Sequence, residues 1–450
     1  MTSSRPLCFV LMPFGTKPDA SGALIDFDAV YNELIGPAIR EADLEPLRAD
    51  EEMTGGIIHK GMFERLILCE FAVADLTTLN ANVFYELGVR HAVRPYSTIL
   101  LFAEGRRLPF DVSMLRALPY RLDDSGRPVN LPRTQAKLAD LLEAARAATP
   151  DSPVFALVPG WKAPEVDPAT TDTFRGHVAD ADHVKARLAK ARRQGADAIR
   201  GVESEMGDIG NQDAGVVIDL FLSYRACTAW SDMVRLYGAM SATLRKTVMV
   251  REQLALAYNR LGETETAERI LNQLIAERGP SSETYGILGR VYKDRWEKAA
   301  RAGDTMMSDG LLNKAIDAYL KGFEADWRDA YPGINAVTLM ELSEPPDERR
   351  EQILPVVRYA VERRIASGKP DYWDYATVVE LAVLGGDEKR ARTALGQALA
   401  SLPRPWETET TARNLRLIND ARMRRGGLAP WMREVEDELE RVGARTTLSA

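Results

Sequence analysis

Cysteine and histidine are scarce in this sequence, which has three cysteines and four histidines among 450 residues. Cys8, Cys69 and Cys227 show no CxxC spacing, so neither a disulfide framework nor a structural zinc site is expected. The histidines form no HExxH motif, which removes the ligand pattern of zinc hydrolases. We therefore predict that the protein holds no metal.

Other absent patterns narrow the function further. The sequence has no dinucleotide-binding GxGxxG and no phosphate-binding GxxxxGK[ST] pattern, and it lacks the HRD, DFG and glycine-rich motifs of protein kinases. Phosphoryl transfer by this chain is therefore not expected. No apolar run reaches the roughly 18 residues of a membrane helix, and the run at 7–12 is too short for a signal peptide. We predict a cytoplasmic protein without a membrane partner.

Composition predicts an ordinary globular protein. With 450 residues and 45% hydrophobic composition, the chain is long enough for two or three domains, each with its own core. Its 58 basic and 66 acidic side chains give a formal net charge of −8, and neither sign collects into a long block. A nucleic-acid partner is therefore not expected.

The first third of the chain has the pattern of a doubly wound α/β domain. Short apolar runs alternate with helical patterns, which is typical of a parallel sheet covered on both faces. Predicted strands lie at 7–12, 44–49, 71–76, 97–102 and 118–122, and predicted helices lie near 27–42, 61–69, 82–94 and 131–148. We predict an α/β domain at 1–148, a linker rich in Pro, Asp and Thr at 149–179, and a helical region at 180–450.

Ligands of open α/β sheets bind outside the carboxyl ends of the strands. That rule selects Phe14, Gly15, Asp50 and Asp75 as candidate substrate-binding residues. Each has a structural alternative, because turn glycines often serve only the direction of the chain and an aspartate often begins a turn. An aspartate at these positions is also suited to accept a hydrogen bond from a ribose hydroxyl.

Glu86 is the candidate catalytic residue. It belongs to the stretch "ADLTTLNANVFYELGVRHA" at 74–92, in which Asn80 or Asn82 is suited to be the helix N-cap. With Asn82 as the cap, Glu86 follows four positions later on the same helix face. One interpretation is an ion pair with Arg90, four residues further along. The other is a carboxylate that faces a bound sugar from an apolar rim.

The motifs of this domain are similar to those of a known superfamily. "FVLMPFG" at 9–15, followed by the stretch at 74–92, resembles the superfamily that joins nucleoside 2-deoxyribosyltransferases to Toll/interleukin-1 receptor (TIR)-like domains. The resemblance covers roughly residues 5–148. It implies a flavodoxin-like, TIR-like sheet and a nucleotide or nucleoside ligand.

The resemblance also implies roles for individual residues. Glu86 matches the glutamate that acts on an N-glycosidic bond, and Asp75 and Asn82 match accompanying polar positions. Phe14 and Gly15 lie in the first substrate loop of that superfamily. The superfamily also contains members that bind nucleotides without converting them.

The leaving group decides how many acids such a reaction needs. A positively charged nicotinamide leaves as a neutral molecule, so one carboxylate that stabilises the oxocarbenium-like sugar is enough. A neutral purine or pyrimidine must be protonated, which requires a second acid such as Asp75. The sequence leaves both open, with NAD or a nucleoside or nucleotide as substrate and no cofactor.

The remainder of the chain has a helical repeat pattern. The stretches 254–275 and 379–400 share a first helix, a Leu-Gly turn with acidic residues, and a second helix with a small residue near its start. A third pair, at 285–326, is stretched by an insertion at 303–310. Ala267, Ala315 and Ala391 are expected to let paired helices approach closely. This plan predicts tetratricopeptide-like stacking with a concave surface that binds a protein partner or mediates self-assembly, or a plain helical support.

A second resemblance concerns residues 245–345. "GRVYKD" and "YPGIN" are similar to the TRAF-binding domain of MAP kinase kinase kinases of the apoptosis signal-regulating type. The resemblance implies a regulatory scaffold built from helical repeats. Pro332 and Gly333 of "YPGIN" are predicted to form a turn between helices.

Together the two halves predict a signalling or defence effector. Its nucleotide N-glycosidase-like domain would be controlled by a helical-repeat sensor or assembly domain. The alternatives are a non-catalytic scaffold that binds a nucleotide and a protein, and a nucleoside deoxyribosyltransferase.

Overall fold

A computed structural model of the chain describes residues 5–19, 23–48, 59–106, 108, 112, 115, 117–147, 149–164, 168–366, 370–401 and 405–448. The chain divides into two compact units. The first is Met1–Ala229 with Arg235–Thr247, and the second is Trp230–Val234 with Val248–Ala450. Within the described ranges, no helix combines the length and the apolar character needed to cross a membrane.

A six-stranded sheet forms the centre of the α/β domain in the first unit. The strands of this domain are β1 (Leu7–Leu11), β2 (Thr16–Pro18), β3 (Leu24–Asp26), β4 (Glu45–Arg48), β5 (Phe71–Asp75), β6 (Thr98–Ala103), β7 (Ala117–Leu122) and β8 (Pro128–Val129). The sheet order is β4-β1-β5-β6-β7-β8, parallel except for β8, while β2 and β3 form a separate antiparallel hairpin. The predicted parallel α/β sheet is confirmed, with its five main strands at the predicted places.

Helices cover both faces of this sheet. The helices of the first unit are α1 (Phe27–Ala29), a π-helical turn (Val30–Ile35), α2 (Gly36–Glu41), α3 (His59–Leu68), α4 (Ala81–Val93), α5 (Leu131–Ala144), α6 (Pro153–Leu157), α7 (Pro168–Arg192), α8 (Ala196–Glu205) and α9 (Ala214–Ala226). Two further helices, α10 (Trp230–Ala239) and α11 (Ala242–Arg245), follow where the chain passes between the units.

Alternation along the buried strands explains the two layers. Every residue of β1 is buried, and Cys8 and Val10 pack in the core on one face with the segment α1 to α2 and with α5. Phe9 and Leu11 pack in the core on the other face, with α3 and α4. Because successive side chains of a strand point to opposite faces, a continuous apolar run is what a sheet with helices on both sides requires.

The stretch 149–179, predicted as a linker, contains α6 and the first part of α7. The Asp151 carboxylate accepts a 2.9 Å hydrogen bond from the Thr98 amide, and Ser152 Oγ donates to the His91 carbonyl at 2.7 Å. Phe174 of α7 is buried in the core beside α3 and α4. These residues therefore pack on the α/β domain, and the division between the two units falls later, near residues 229–248.

The second unit consists of helix hairpins. Its helices are α12 (Val248–Arg260), α13 (Thr264–Arg278), α14 (Ser282–Arg301), α15 (Thr305–Ala325), α16 (Ala330–Leu342), α17 (Arg349–Ala366), α18 (Tyr372–Gly385), α19 (Glu388–Ala400), α20 (Pro405–Arg424) and α21 (Pro430–Leu448). Consecutive helices pair, and the pairs stack around one extended core. The predicted helical-repeat architecture is confirmed, and Ala267, Ala315 and Ala391 are fully buried at helix contacts.

The insertion predicted at 303–310 contains the turn at Gly303, with φ +73°, and the start of α15 at Thr305; the two helices that it joins are long, with 20 residues in α14 and 21 in α15. The prediction for the YPGIN motif is corrected. Pro332 and Gly333 lie inside the first turn of α16, whose N-cap is Asp329, rather than in a loop between helices. Proline is tolerated there because the first helical N–H groups have no partner within the helix.

Close helix packing makes one glycine sensitive to substitution. A Cβ atom at Gly289 of α14 would lie 2.7 Å from the ring of the fully buried Tyr319, whereas one at Gly310 of α15 would meet no atom within 4 Å. We expect Gly289→Ala to lower the free energy of unfolding by about 1–3 kcal/mol, the usual cost of overpacking a core. Gly310→Ala, the matched control, should leave it unchanged or raise it by up to about 1 kcal/mol. Chemical denaturation followed by circular dichroism measures both, and equal effects would contradict this packing.

Candidate functional site

The carboxyl ends of β1 and β4 form a compact aromatic and charged loop. The Gly15 amide donates a 3.2 Å hydrogen bond to Asp28 Oδ1, and the Gly15 carbonyl accepts one from the Phe27 amide at 3.0 Å. Arg48 donates to the same Asp28 oxygen at 2.6 Å, and its guanidinium lies 4.5 Å from the centre of the Phe14 ring. The predicted residues Phe14 and Gly15 are thus held at the strand ends by two residues that the sequence pattern did not select.

Arg48 ends β4. Its position near the end of a predicted strand was the only feature of the sequence that could have selected it. Nothing in the local pattern indicated Asp28, because its partners are 13 and 20 residues away. Asp50, predicted beside them, lies outside the residues that the structure describes.

Asp75 lies at the end of β5 but is enclosed, with 1% of its surface exposed. One carboxylate oxygen accepts a 2.8 Å hydrogen bond from the Tyr120 hydroxyl, and the other accepts the Thr77 amide at 2.9 Å. Thr77 Oγ1 in turn accepts the Ala103 amide at 2.9 Å. Burial raises the pKa of Asp75. The network joins the ends of β5, β6 and β7, and both oxygens of Asp75 are used inside the protein.

The helix that carries Glu86 begins at Ala81, one residue before the predicted start at 82. Asn80 is the N-cap, and its Oδ1 accepts hydrogen bonds from the amides of Asn82 and Val83 at 2.9 and 3.3 Å. Asn82 is therefore a helical residue, with an exposed side chain, and Glu86 follows it by four positions. Both residues stay on one face of α4, one turn apart.

The interpretation of Glu86 as the ion-pair partner of Arg90 is wrong. Arg90 is fully buried, and its guanidinium donates to backbone carbonyls instead. The acceptors are Leu66 O at 2.8 Å, Cys69 O at 2.7 Å and Glu70 O at 3.0 Å, with Ser97 Oγ and Thr98 Oγ1 at 3.3 Å. The guanidinium charge is thus stabilised by carbonyl and hydroxyl dipoles. The carbonyls belong to the end of α3 and to the residues just before β5.

Glu86 is consequently left without a partner among the described residues. Its side chain is partly buried and makes no hydrogen bond or ion pair with any residue in the described part of the chain. Removal from water raises the pKa of this carboxyl to about 7. A carboxyl that titrates near neutral pH at a strand-end edge has the properties of a reactive group.

The structure brings only part of the predicted set to one surface. Phe14 and Gly15 follow β1, and α4 with Asn82 and Glu86 follows the neighbouring β5, so topology places all four at the same edge of the sheet. Asp75 lies beneath that edge. Among the described residues, no group of three or more His, Cys, Asp or Glu side chains is arranged to hold a metal.

In the second unit, α20 contacts helices that were predicted to line a concave surface. This helix packs across the first helices of three earlier hairpins, α14, α16 and α18. Arg413 donates to Glu297 of α14 at 2.7 Å, Arg422 donates to Glu341 of α16 at 2.9 Å, and Asn414 donates to Glu380 of α18 at 3.1 Å. These three helices are therefore linked to α20 by charged and polar side chains.

A buried ammonium group marks the centre of this contact. Lys293 of α14 is 2% exposed, and its Nζ donates to Asn414 Oδ1 at 3.2 Å and to Asn335 Oδ1 at 3.5 Å. It makes no ion pair with a carboxylate among the described residues of this unit. Burial lowers its pKa to about 8. The Lys293 ammonium is thus satisfied by amide oxygens of α16 and α20.

A known protein family matches most of the chain. The family described as the MAP3K TRAFs-binding domain matches residues 83–434. A curated relative is the mitogen-activated protein kinase kinase kinase nsy-1 of Caenorhabditis elegans, which is 28% identical over 220 residues. That alignment covers 44% of this chain and only 14% of the length of the relative.

Three solved structures align with parts of the chain, each at a TM-score below 0.5. A thermophilic tetratricopeptide protein of Thermus thermophilus has a TM-score of 0.34 and 16% identity, covering 45% of this chain and 98% of its own. A tetratricopeptide repeat protein from Parabacteroides merdae has a TM-score of 0.28 and 13% identity, covering 55% and 99%. The human IFIT1 dimer with PPP-AAAA has a TM-score of 0.36 and 12% identity, covering 70% and 80%.

The raised pKa of Glu86 predicts a pH-dependent stability difference. A carboxyl whose pKa rises from 4.5 to about 7 on folding favours the folded state below pH 4.5, and that contribution is lost as the pH rises through about 7. Glu86→Gln should therefore be more stable than the wild type at pH 8, by about 1–3 kcal/mol, and nearly equal to it at pH 4. Denaturation at both pH values measures the difference. Glu143 is exposed on α5, so the stability difference between Glu143→Gln and the wild type should not change with pH. A pH-independent difference for Glu86→Gln would contradict the raised pKa of Glu86.

Proposed function

This chain belongs to the family of MAP3K TRAFs-binding domains, and on that premise we propose that it is a signalling protein with two activities. Its helical repeats bind a protein partner. Its α/β domain binds a nucleotide and cleaves an N-glycosidic bond, with Glu86 as the catalytic residue and Phe14, Gly15 and Asn82 contacting the substrate.

One observation carries the catalytic part of the proposal: the carboxylate of Glu86 has no hydrogen-bond or ion-pair partner in the described part of the chain. Most partly buried carboxylates are neutralised by a neighbouring cation, and the cation in reach along the helix, Arg90, is directed into the core. A ligand with developing positive charge would supply what Glu86 lacks. An oxocarbenium-like ribose has that charge at C1 and the adjacent ring oxygen.

The enclosure of Asp75 favours a cationic leaving group. A neutral base must receive a proton as it leaves, and Asp75, the predicted second acid, has both oxygens engaged below the surface. A pyridinium such as the nicotinamide of NAD needs no proton, because the C1–N electron pair leaves with the ring and neutralises its charge. Water then adds its hydroxide to C1 and releases a proton. NAD is therefore the proposed substrate, ahead of the nucleosides of a deoxyribosyltransferase.

The protein-binding part rests on the family description and on the hairpin stack. The family is named for binding TRAF proteins, and helix hairpins present long surfaces that suit protein partners. We assign the partner of this chain to the same class. Partner binding or self-assembly through the repeats would then control the α/β domain.

Purified protein incubated with NAD should release nicotinamide, measured by chromatography over a range of protein concentrations. Release should increase as the pH rises through about 7, because the ionised Glu86 is the active form. Glu86→Gln should reduce the rate by about a hundredfold or more, as expected for loss of an electrostatic stabiliser.

Glu143→Gln, at an exposed position of α5, is the control and should retain full activity. Full activity in Glu86→Gln would refute its catalytic role. Saturable NAD binding by calorimetry without turnover would instead support a non-catalytic nucleotide-binding scaffold, and exchange between paired nucleosides would support a deoxyribosyltransferase.

Binding to a purified TRAF protein tests the second activity. We expect a saturable complex with a Kd on the order of 1 μM in biolayer interferometry, typical of a regulatory contact. An unrelated immunoglobulin domain is the control. Absence of binding up to about 100 μM would remove this partner class from the proposal.

A further inference from the structure

Positive charge is concentrated where α12, α14, α16 and α20 meet. Arg260 ends α12, Arg290 and Lys293 lie one turn apart on α14, and Arg413 lies on α20. Burial lowers the pKa of Arg260 and that of Lys293, and the charges of Arg290 and Arg413, which lie close to both groups, lower these pKa values further. We call these four residues the α14 cation cluster.

One acidic side chain of this region, Asp294, is used entirely inside the protein. Its Oδ1 accepts a 3.1 Å hydrogen bond from Arg290 Nε, and its Oδ2 accepts one from Asn259 Nδ2 at 2.7 Å. Both oxygens are thus engaged, and the charge of Asp294 is offset by that of Arg290.

Two further carboxylates of the region also have partners within the chain. Glu297 lies between two arginines, because its Oε1 accepts from Arg413 at 2.7 Å and its Oε2 accepts from Arg301 at 3.1 Å. Glu380 accepts from Asn414 at 3.1 Å, and burial raises its pKa to about 6. These carboxylates therefore belong to the polar contacts between the helices.

Arg260 and Lys293 remain without a carboxylate partner. Arg260 is exposed and forms no hydrogen bond or ion pair within the described part of the chain, and the Lys293 ammonium contacts only amide oxygens there. The cluster and Arg301 make five cations against three carboxylates, which leaves an excess of two positive charges. A phosphate monoester, with a charge of about −1.5 to −2 at pH 7, offsets this excess, whereas one carboxylate offsets half of it.

The exposure of these groups suits an anion at the surface. Arg260 and Arg413 are exposed, and Tyr331, which is 49% exposed, lies beside Arg260. Guanidinium groups match the geometry of phosphate oxygens and can donate two parallel hydrogen bonds to them. Lys293 is buried, so water and salt screen its charge less than that of an exposed group.

We propose that the α14 cation cluster binds a phosphate group carried by a side chain of a protein partner. Arg260 and Arg413 contact the phosphate oxygens, and Lys293 attracts the same negative charge from its buried position. This inference rests on the proposed partner binding by the repeats and specifies the chemistry of the group that is bound.

A phosphorylated peptide tests the proposal on the full chain. The probe is fluorescein-labelled Gly-Gly-phosphoserine-Gly-Gly, and the wild type should bind it saturably in fluorescence anisotropy, with a Kd below about 100 μM. Arg260→Gln should weaken binding at least about tenfold, because it removes a charge-assisted contact. Arg269→Gln is the matched control and should bind like the wild type: Arg269 is exposed on α13, without a partner among the described residues, and its substitution removes the same charge.

Lys293→Gln tests the buried charge. Glutamine keeps an amide donor for Asn335 and Asn414 but carries no charge, so we expect binding to weaken by about three- to tenfold, while circular dichroism shows that the helices are retained. Unchanged binding in Lys293→Gln would refute the role of the buried ammonium.

Altered probes identify the anion. The peptide with unmodified serine should not bind, and the peptide with Glu in place of phosphoserine should bind at least about tenfold more weakly. Equal binding of the Glu peptide would overturn the phosphate assignment in favour of a carboxylate, and inorganic phosphate that binds as tightly as the phosphopeptide would overturn the protein partner in favour of a free anion.

Two results would overturn the site itself. They are no saturable binding of the phosphopeptide by the wild type up to about 1 mM, and equal weakening in Arg260→Gln and Arg269→Gln. TRAF binding that persists in either case would leave the proposed function intact while refuting the α14 cation cluster as a phosphate site.

Discussion

Burial of the Arg90 charge is the constraint on which the α/β domain depends. A guanidinium removed from water must find acceptors for its donors, and here three backbone carbonyls and two hydroxyl oxygens supply them. The carbonyls belong to Leu66, Cys69 and Glu70, so the interaction fixes the end of α3 and the start of β5 against α4. Desolvation lowers the pKa of Arg90 only to about 10, so it remains charged at neutral pH. The same interaction leaves the carboxylate of Glu86, one turn earlier, without its helical counter-ion.

The helical unit resolves a similar problem with different groups. Lys293 is surrounded by amide oxygens from α16 and α20, and Glu341 accepts hydrogen bonds from Arg422 and Arg425 while Arg350 forms an ion pair with it. Breaking one partner of such a buried set leaves an uncompensated charge, which is strongly unfavourable. These contacts join helices of different hairpins, and with the buried apolar residues of α20 they hold that helix against α14, α16 and α18.

The two units suit the two proposed activities, glycosidic cleavage and protein binding, for different physical reasons. The sheet edge presents one partly buried carboxylate, held at the start of a capped helix beside an aromatic loop, and such a group interacts strongly with developing positive charge. The hairpins present long helical surfaces, which suit contacts with a protein partner. Electrostatic interaction with one desolvated carboxylate thus dominates ligand binding proposed at the sheet edge, whereas burial of apolar side chains dominates the packing of the hairpins.

Sequence alone determined the elements of this protein, because periodicity is a local property of the chain. The five main strands, the helices between them, the N-cap region of α4 and the paired helices of the repeats followed from patterns within about ten to twenty residues. Glu86 was selected as the candidate in the same way, from its place in the first turns of the helix that follows a strand. Tertiary structure alone decided that Arg90 turns inward, that Asp75 is enclosed by Tyr120, 45 residues away, and that Asn414 covers Lys293 across 121 residues. Which partner a polar side chain finds depends on contacts between distant segments, and local periodicity carries no information about them.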